Sequence, residues 1–167
     1  MTVAVRPAGP ADHEAAIAVW AAADTARRGS PSPPEVPQML RERFAKDDVW
    51  VLVAEDDGGG VVGVAQGGPA REDGGTGPAI PGRCHLSMVF VLPERWGEGI
   101  GSLLVDEAVG TAQVLGYDTV QLYTHEDNRR AQRLYTGKGF VRDGDVRADA
   151  WGAPVGRWAR RLGGPAI

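Results

Sequence analysis

The sequence predicts an α/β protein of the α+β kind, a mixed central sheet of six to seven strands flanked by about four helices. Three observations carry that prediction. His85 to Leu92 is nearly continuous in apolar character, as a strand covered on both faces should be. A turn with glycine at alternate positions, Gly97, Gly99 and Gly101, follows it and opens a helix. In that helix Ile100, Leu103, Leu104, Ala108, Thr111 and Leu115 recur at spacings of three and four. Strand and helix patterns along the whole chain run in the order β-α-α-β-β-β-α-β-α-β-β.

Thr2 to Arg6 alternates and stops at Pro7, a short first strand. Pro10-Ala11-Asp12 opens a helix with Ile17, Trp20, Ala21 and Asp24 along one side and alanine filling the rest. Gly29 to Pro34 holds three prolines and a glycine and reads as a loop. A shorter helix is expected over Pro37 to Lys46, with Met39, Leu40 and Phe44 inward. Trp50 to Glu55 and Val61 to Gln66 are two strands joined by a hairpin turn at Asp56 to Gly60. Residues 67–82, rich in glycine and proline, read as a long surface loop. The third helix ends at Gly116 as a C′ glycine, and Asp118 to Thr124 is the next strand. Asp127 is placed to cap a helix that runs to about Lys138. Phe140 to Ala150 and Val155 to Arg161 close the chain as a hairpin.

A chain of 167 residues is expected to form one domain, residues 1–167, burying roughly two-thirds of its unfolded surface. No apolar run approaches the ~18 residues a membrane span needs, so no membrane partner is expected. The N-terminus has no hydrophobic leader, and Cys84 is the one cysteine, so a cytoplasmic location is expected. A net charge of −4 argues against nucleic acid as a partner. The charge is uneven, since nine of the eighteen basic residues follow Asp127. A solvated face is the default reading of that cluster.

The chemistry concentrates after Val89. A strand, a glycine turn and a helix start gather backbone N–H groups that lack intrahelical partners, at the positive end of a helix dipole. Glycine removes the Cβ that would keep an anion away, so the segment is expected to hold a phosphate-bearing ligand. It is not the dinucleotide fingerprint, because Ser102 stands where a third glycine belongs. No Gly-x-x-x-x-Gly-Lys-Ser/Thr run exists, which excludes a P-loop.

Trp96-Gly97-Glu98-Gly99-Ile100-Gly101, after a strand ending near a proline, resembles the Gln/Arg-x-x-Gly-x-Gly/Ala signature of the GNAT superfamily of acetyl-CoA-dependent N-acetyltransferases. A second match follows in order. Leu122 to Asn128, then Ala131, Leu134-Tyr135 and Gly139-Phe140, is similar to that family's later strand-helix motif. Trp96 departs from the usual Gln or Arg. The resemblance spans residues 86–141 and implies acetyl-CoA as co-substrate, with no metal. It implies that the backbone of Val89, Phe90 and Val91 pairs with the pantetheine arm, one N–H there facing the carbonyl oxygen. It also implies that the amides of Gly97, Gly99, Gly101 and Ser102 hold the diphosphate, with Trp96 a cofactor-binding position at the head of that loop, and that Asn128 touches the pantetheine or holds the strand–helix junction. By its residues alone, Asn128 reads equally as a helix cap. Tyr135 shares a helical face with Ala131 and Leu134 and reads by itself as a core tyrosine; the resemblance makes it the proton donor to the leaving thiolate. Arg129, Arg130 and Arg133 are either adenosine-phosphate contacts or solvated side chains.

The general base is open among His85, His125 and Glu126, and His13, His85 and His125 are too scattered for a metal site. Trp20, Asp24 and Arg28 lie where the family faces its acceptor. Asp24 reads as a solvated carboxylate, or as a partner for a cationic amine. The leading function is direct acetyl transfer to a small-molecule primary amine. A protein α-amine or lysine acceptor, a non-catalytic acyl-CoA-binding module and a Rossmann-type phosphate-cofactor enzyme are the alternatives. Dimers are common in the family, so a homodimer is compatible with this reading.

Overall fold

The computed structural model describes residues 2–163; Met1 and residues 164–167 of the expected domain lie outside the described residues. Among the described residues seven strands and four helices follow one another in the expected order. They are β1 Val3–Pro7, α1 His13–Arg28, α2 Val36–Phe44, β2 Trp50–Asp56, β3 Val61–Arg71, β4 Ala79–Val91, α3 Ile100–Val114, β5 Thr119–His125, α4 Arg129–Gly137, β6 Val141–Ala148 and β7 Pro154–Arg161. The strands make one seven-stranded sheet in the order β1-β2-β3-β4-β5-β7-β6. The pairs β1/β2, β2/β3, β5/β7 and β6/β7 are antiparallel and β4/β5 is parallel, so the sheet is mixed as predicted. Among the described residues no helix is long and apolar enough to cross a membrane.

Two compact units share the chain. One takes the chain up to Gly68 and Met88–Ala108; the other takes Pro69–Ser87 and the chain from Val109 onward. In the first unit, α1 buries Ala16, Ile17, Val19 and Trp20, and α2 buries Val36, Leu40 and Phe44, against Val51, Val53, Val64 and Met88. The four α1 residues fall at spacings of one to four along one side, the apolar stripe of a helix lying on a sheet. Gly29 ends α1 at φ +74°, its N–H on the Thr25 carbonyl at 2.9 Å. At the other end, Asp12 accepts the Gly9 N–H at 2.8 Å and takes both terminal nitrogens of Arg6, at 2.8 and 3.0 Å. The Arg6 guanidinium, with the Gly9 N–H second, lowers the Asp12 carboxyl to a pKa of about 2.

In the second unit the parallel ladder between β4 and β5 covers Arg83–His85 against Thr119–Gln121 and ends there. Val120, Leu122 and Thr124 alternate inward on β5, and β7 pairs along the whole of that strand. Phe140, 1% exposed, stacks edge-on against Tyr135 with ring centroids 5.7 Å apart. Every residue of the edge strand β6 is exposed.

Three expectations need correction. The stretch 67–82 is not one long loop, because β3 continues to Arg71 and β4 begins at Ala79. Glycine at 67 marks a close approach rather than a turn, since a Cβ there would overlap the Trp50 ring. Met39 is not inward but 44% exposed; the buried stripe of α2 runs Val36, Leu40, Phe44, and Met39 stands off it. Leu115 is 57% exposed because it lies past Val114, the last residue of α3, while the buried stripe ends at Ala112.

Candidate functional site

In the first unit, β4 ends at Val91, and the Leu92 N–H donates to the Val62 carbonyl at 2.9 Å. Pro93–Arg95 form a single 3-10 turn, with the Trp96 N–H on the Pro93 carbonyl at 3.2 Å. The Trp96 indole Nε1 donates to the Val91 carbonyl at 2.8 Å, tying the head of the glycine turn to the end of the strand. The tryptophan thus has a bracing role that the family signature, with Gln or Arg at this place, did not predict. Gly97 and Gly99 stand at φ +87° and +82°, where other residues are strained. A Cβ added at either would meet nothing within 4 Å, so backbone conformation demands these glycines, not packing.

The first backbone hydrogen bond of α3 runs from the Leu103 N–H to the Gly99 carbonyl at 3.1 Å. The N–H groups of Ile100, Gly101 and Ser102 precede it and have no acceptor among the described residues. They stand at the N-terminus of a fifteen-residue helix, where the dipole adds to their partial positive charge. The helix is seated closely. A Cβ on Gly63 of β3 would lie 2.9 Å from Leu104 Cδ1 and 3.3 Å from Ile100 Cγ2.

In the second unit, α4 is capped by Asn128 and not by Asp127. Asn128 Oδ1 accepts the Ala131 N–H at 3.1 Å, while Asp127 is exposed. Asx residues at two adjacent positions gave the sequence no means of choosing; the geometry does, since N3 lies three residues on from the cap. Tyr135, one turn further along the helix, is 8% exposed. Its hydroxyl bonds to no described residue, and burial pushes it well above the usual phenol range, so it holds its proton at neutral pH. Arg129, Arg130 and Arg133 are exposed.

All three base candidates are engaged in the second unit. His85 Nδ1 lies 3.3 Å from Gln121 Nε2, and the Gln121 Oε1 accepts from Arg83 Nε at 2.5 Å. Glu126 pairs with Arg142 at 2.7 Å. His125 Nε2 meets Asp149 Oδ2 at 2.9 Å, and Asp149 Oδ1 accepts the Trp151 and Ala153 N–H groups at 2.9 Å each. Burial works to raise the Asp149 carboxyl, but the His125 ring and those two amides outweigh it and hold the group below its usual range.

In α1, Asp24 is not a solvated carboxylate. It is 4% exposed and pairs with Arg28 Nε at 2.8 Å and Arg27 at 3.9 Å, one turn along the helix. Trp20 is buried in the α1–α2 core.

Val89, Phe90, Val91, Trp96, Gly97, Gly99, Gly101 and Ser102 thus fall on one continuous segment of the first unit, and Asn128 and Tyr135 on one helix of the second. The sequence missed Arg95, buried beneath the glycine turn, because its hydrogen-bond partner Asp56 lies 39 residues away.

Residues 15–140 match the Acetyltransferase (GNAT) family. Over 151 residues the chain is 33% identical to a mycothiol acetyltransferase of Pseudarthrobacter chlorophenolicus, covering 86% of this chain and 44% of that one. It spans between 17% and 44% of the length of the first three curated relatives it matches. In fold it is similar to an acetyltransferase of the GNAT family from Staphylococcus aureus Mu50, with TM-score 0.77 and 16% identity over 97% of this chain and 100% of that one. It is also similar to the PaiA N-acetyltransferase of Thermoplasma acidophilum, solved in complex with coenzyme A, with TM-score 0.69 and 19% identity over 97% and 100% of the two chains. With a match covering three-quarters of its length and the motifs at Trp96–Gly101 and Asn128–Tyr135, this chain belongs to the GNAT acetyltransferase family.

Proposed function

We propose that this protein, a single domain acting in the cytoplasm, moves an acetyl group from acetyl-CoA directly to a primary amine of a small molecule. One observation carries the proposal: three helix N–H groups that have no acceptor among the described residues, behind two left-handed glycines, at the place where the family motif falls. The mycothiol acetyltransferase relatives favour a small-molecule acceptor, and Cys84, reduced and fully buried, fits a reducing compartment.

In this reading the amides from Gly97 to Ser102 hold the diphosphate, with Trp96 bracing the turn. The backbone of Val89, Phe90 and Val91 lies along the pantetheine, and one N–H there faces the carbonyl oxygen as it gains negative charge. A well-aimed donor of that kind is worth about 3 kcal/mol. Asn128 contacts the pantetheine through Nδ2, which donates to no described residue while Oδ1 caps the helix. When bound, acetyl-CoA supplies an acyl group activated as a thioester. An alkylamine of pKa about 10 is mostly protonated at neutral pH and gives up a proton before its nitrogen attacks. The C–N bond forms and the C–S bond breaks; the Tyr135 hydroxyl gives its proton to the departing sulfur. The second proton, lost by the acylated nitrogen, restores that hydroxyl, so the one proton released overall is the one the ammonium gave up first.

The test is thiol release from acetyl-CoA against a panel of small amines, amino acids and peptides. Turnover with small amines, accompanied by the N-acetyl product, supports the proposal. Turnover confined to peptides moves the acceptor to a protein amine. Tight coenzyme binding with no acetylated product from any amine contradicts it in favour of a binding module.

A further inference from the structure

Arg95 is a charged side chain only 9% exposed, an uncommon place for an arginine unless it is paired. Its Nε donates to both carboxylate oxygens of Glu98, at 3.0 and 2.9 Å, and its Nη1 to Asp56 Oδ2 at 3.3 Å. The other oxygen of Asp56 accepts the Gly58 and Gly60 N–H groups at 3.1 and 2.9 Å, which builds the β2–β3 turn around that side chain. One guanidinium therefore fastens a hairpin turn to Glu98. Glu98 lies between Gly97 and Gly99, two residues with no side chain to pack and a backbone free to take many conformations. Trp96 fixes the head of this segment and the Gly99 carbonyl, bonded to the Leu103 N–H, fixes its end; between them the Glu98 side chain is the remaining hold on the direction of the amides. A carboxylate there would also oppose a diphosphate unless a cation neutralised it and drew it aside.

We propose that Arg95 is a positioning residue for the coenzyme, presetting the N–H groups that follow Glu98 and neutralising that carboxylate, without itself acting in the chemistry. This rests on the acetyl-CoA reading above. Its action is confined to the diphosphate end of the ligand, and that makes it separable from a general effect on folding.

The experiment compares two acetyl donors, acetyl-CoA and S-acetylpantetheine, which lacks the diphosphate, in the wild-type protein and in Arg95→Met and Asp56→Asn. Asp56→Asn keeps the oxygen that closes the hairpin turn and puts an amide N–H donor where the oxygen accepting from Arg95 stood, so it breaks that one pairing and carries the test if Arg95→Met does not fold. For Arg95→Met, KM for acetyl-CoA is expected to rise about tenfold or more, the scale of a lost charged hydrogen bond, at unchanged kcat. For Asp56→Asn the rise is smaller and in the same direction. With S-acetylpantetheine both variants should keep the wild-type kcat/KM. An equal loss with both donors, or no loss with either, overturns the inference. Failure of the wild-type protein to bind coenzyme A overturns the underlying reading, and it shows before any variant is made.

Discussion

Gly63 offers a steric test of how α3 is seated. An alanine Cβ there would stand 2.9 Å from Leu104 Cδ1, 3.2 Å from Ala54 Cβ and 3.3 Å from Ile100 Cγ2. Carbon pairs are comfortable at about 3.5–4.0 Å, so all three contacts are too close and the first by roughly half an ångström. Leu104 is fully buried and Ala54 lies within β2, so neither yields freely and the first turn of α3 must lift. Overpacking of this kind costs about 1–3 kcal/mol, offset by roughly 0.5–1 kcal/mol because alanine has less freedom than glycine in the unfolded chain. At the middle of those ranges the net loss is about 1 kcal/mol, which corresponds to a Tm lower by about 2–4 °C in a chain of this size. Because Ile100 begins the turn whose amides are proposed to hold the diphosphate, the same lift should weaken those bonds. A loss of about 1 kcal/mol is roughly a fivefold fall in affinity for coenzyme A. Thermal unfolding followed by circular dichroism and calorimetric titration with coenzyme A read the two effects. Gly110→Ala is the control on the same helix. A Cβ there meets nothing within 4 Å, so it should stabilise by up to about 1 kcal/mol and leave affinity unchanged. A Gly63→Ala protein with wild-type Tm and wild-type affinity would refute the packing argument. A lower Tm with unchanged affinity would refute the link from packing to coenzyme.

Three further outcomes are expected. Tyr135→Phe removes a hydroxyl with no described protein partner, so Tm and coenzyme affinity should hold while kcat falls roughly a hundredfold or more; an unchanged kcat at saturation removes Tyr135 from the chemistry. Asn128→Ala should lose about 1 kcal/mol of helix stability, whereas Asn128→Asp keeps the cap and Tm but raises KM for acetyl-CoA; equal KM in Asn128→Asp and wild type would make the residue a cap alone. The Asp12 carboxyl is lowered from 3.8 to about 2 by Arg6, so its contribution to stability is present above about pH 4 and is lost as pH falls toward 2. Asp12→Asn should flatten the stability profile across that window, and urea midpoints that fall just as steeply in the variant would contradict the pairing.

Features whose cause is local in sequence were legible in it. The glycine turn into α3 is one, because left-handed backbone at Gly97 and Gly99 is a property of those residues alone. The β2–β3 hairpin is another, where Asp56 and the glycines after it close a turn among themselves. The reading failed where a distant partner decides. Gly67 reads as a loop residue until Trp50 is seen to lie across it, and the misassigned loop of residues 67–82 follows from that. Asp24 reads as solvated until its burial and pairing with Arg28 are known, and nothing in the sequence singles out Arg95 until Asp56 is brought against it. The choice of Asn128 over Asp127 as the cap needs an angle that composition does not carry.

The central claim is that the bare amides at the start of α3 receive the coenzyme's diphosphate. Titrating ¹⁵N-labelled protein with coenzyme A and following each backbone amide tests it most directly. The account predicts that the largest shifts fall on Ile100, Gly101 and Ser102, with Gly97 and Gly99 beside them, and that a ligand lacking the diphosphate leaves them in place. Saturable binding that leaves those five amides unmoved would contradict it.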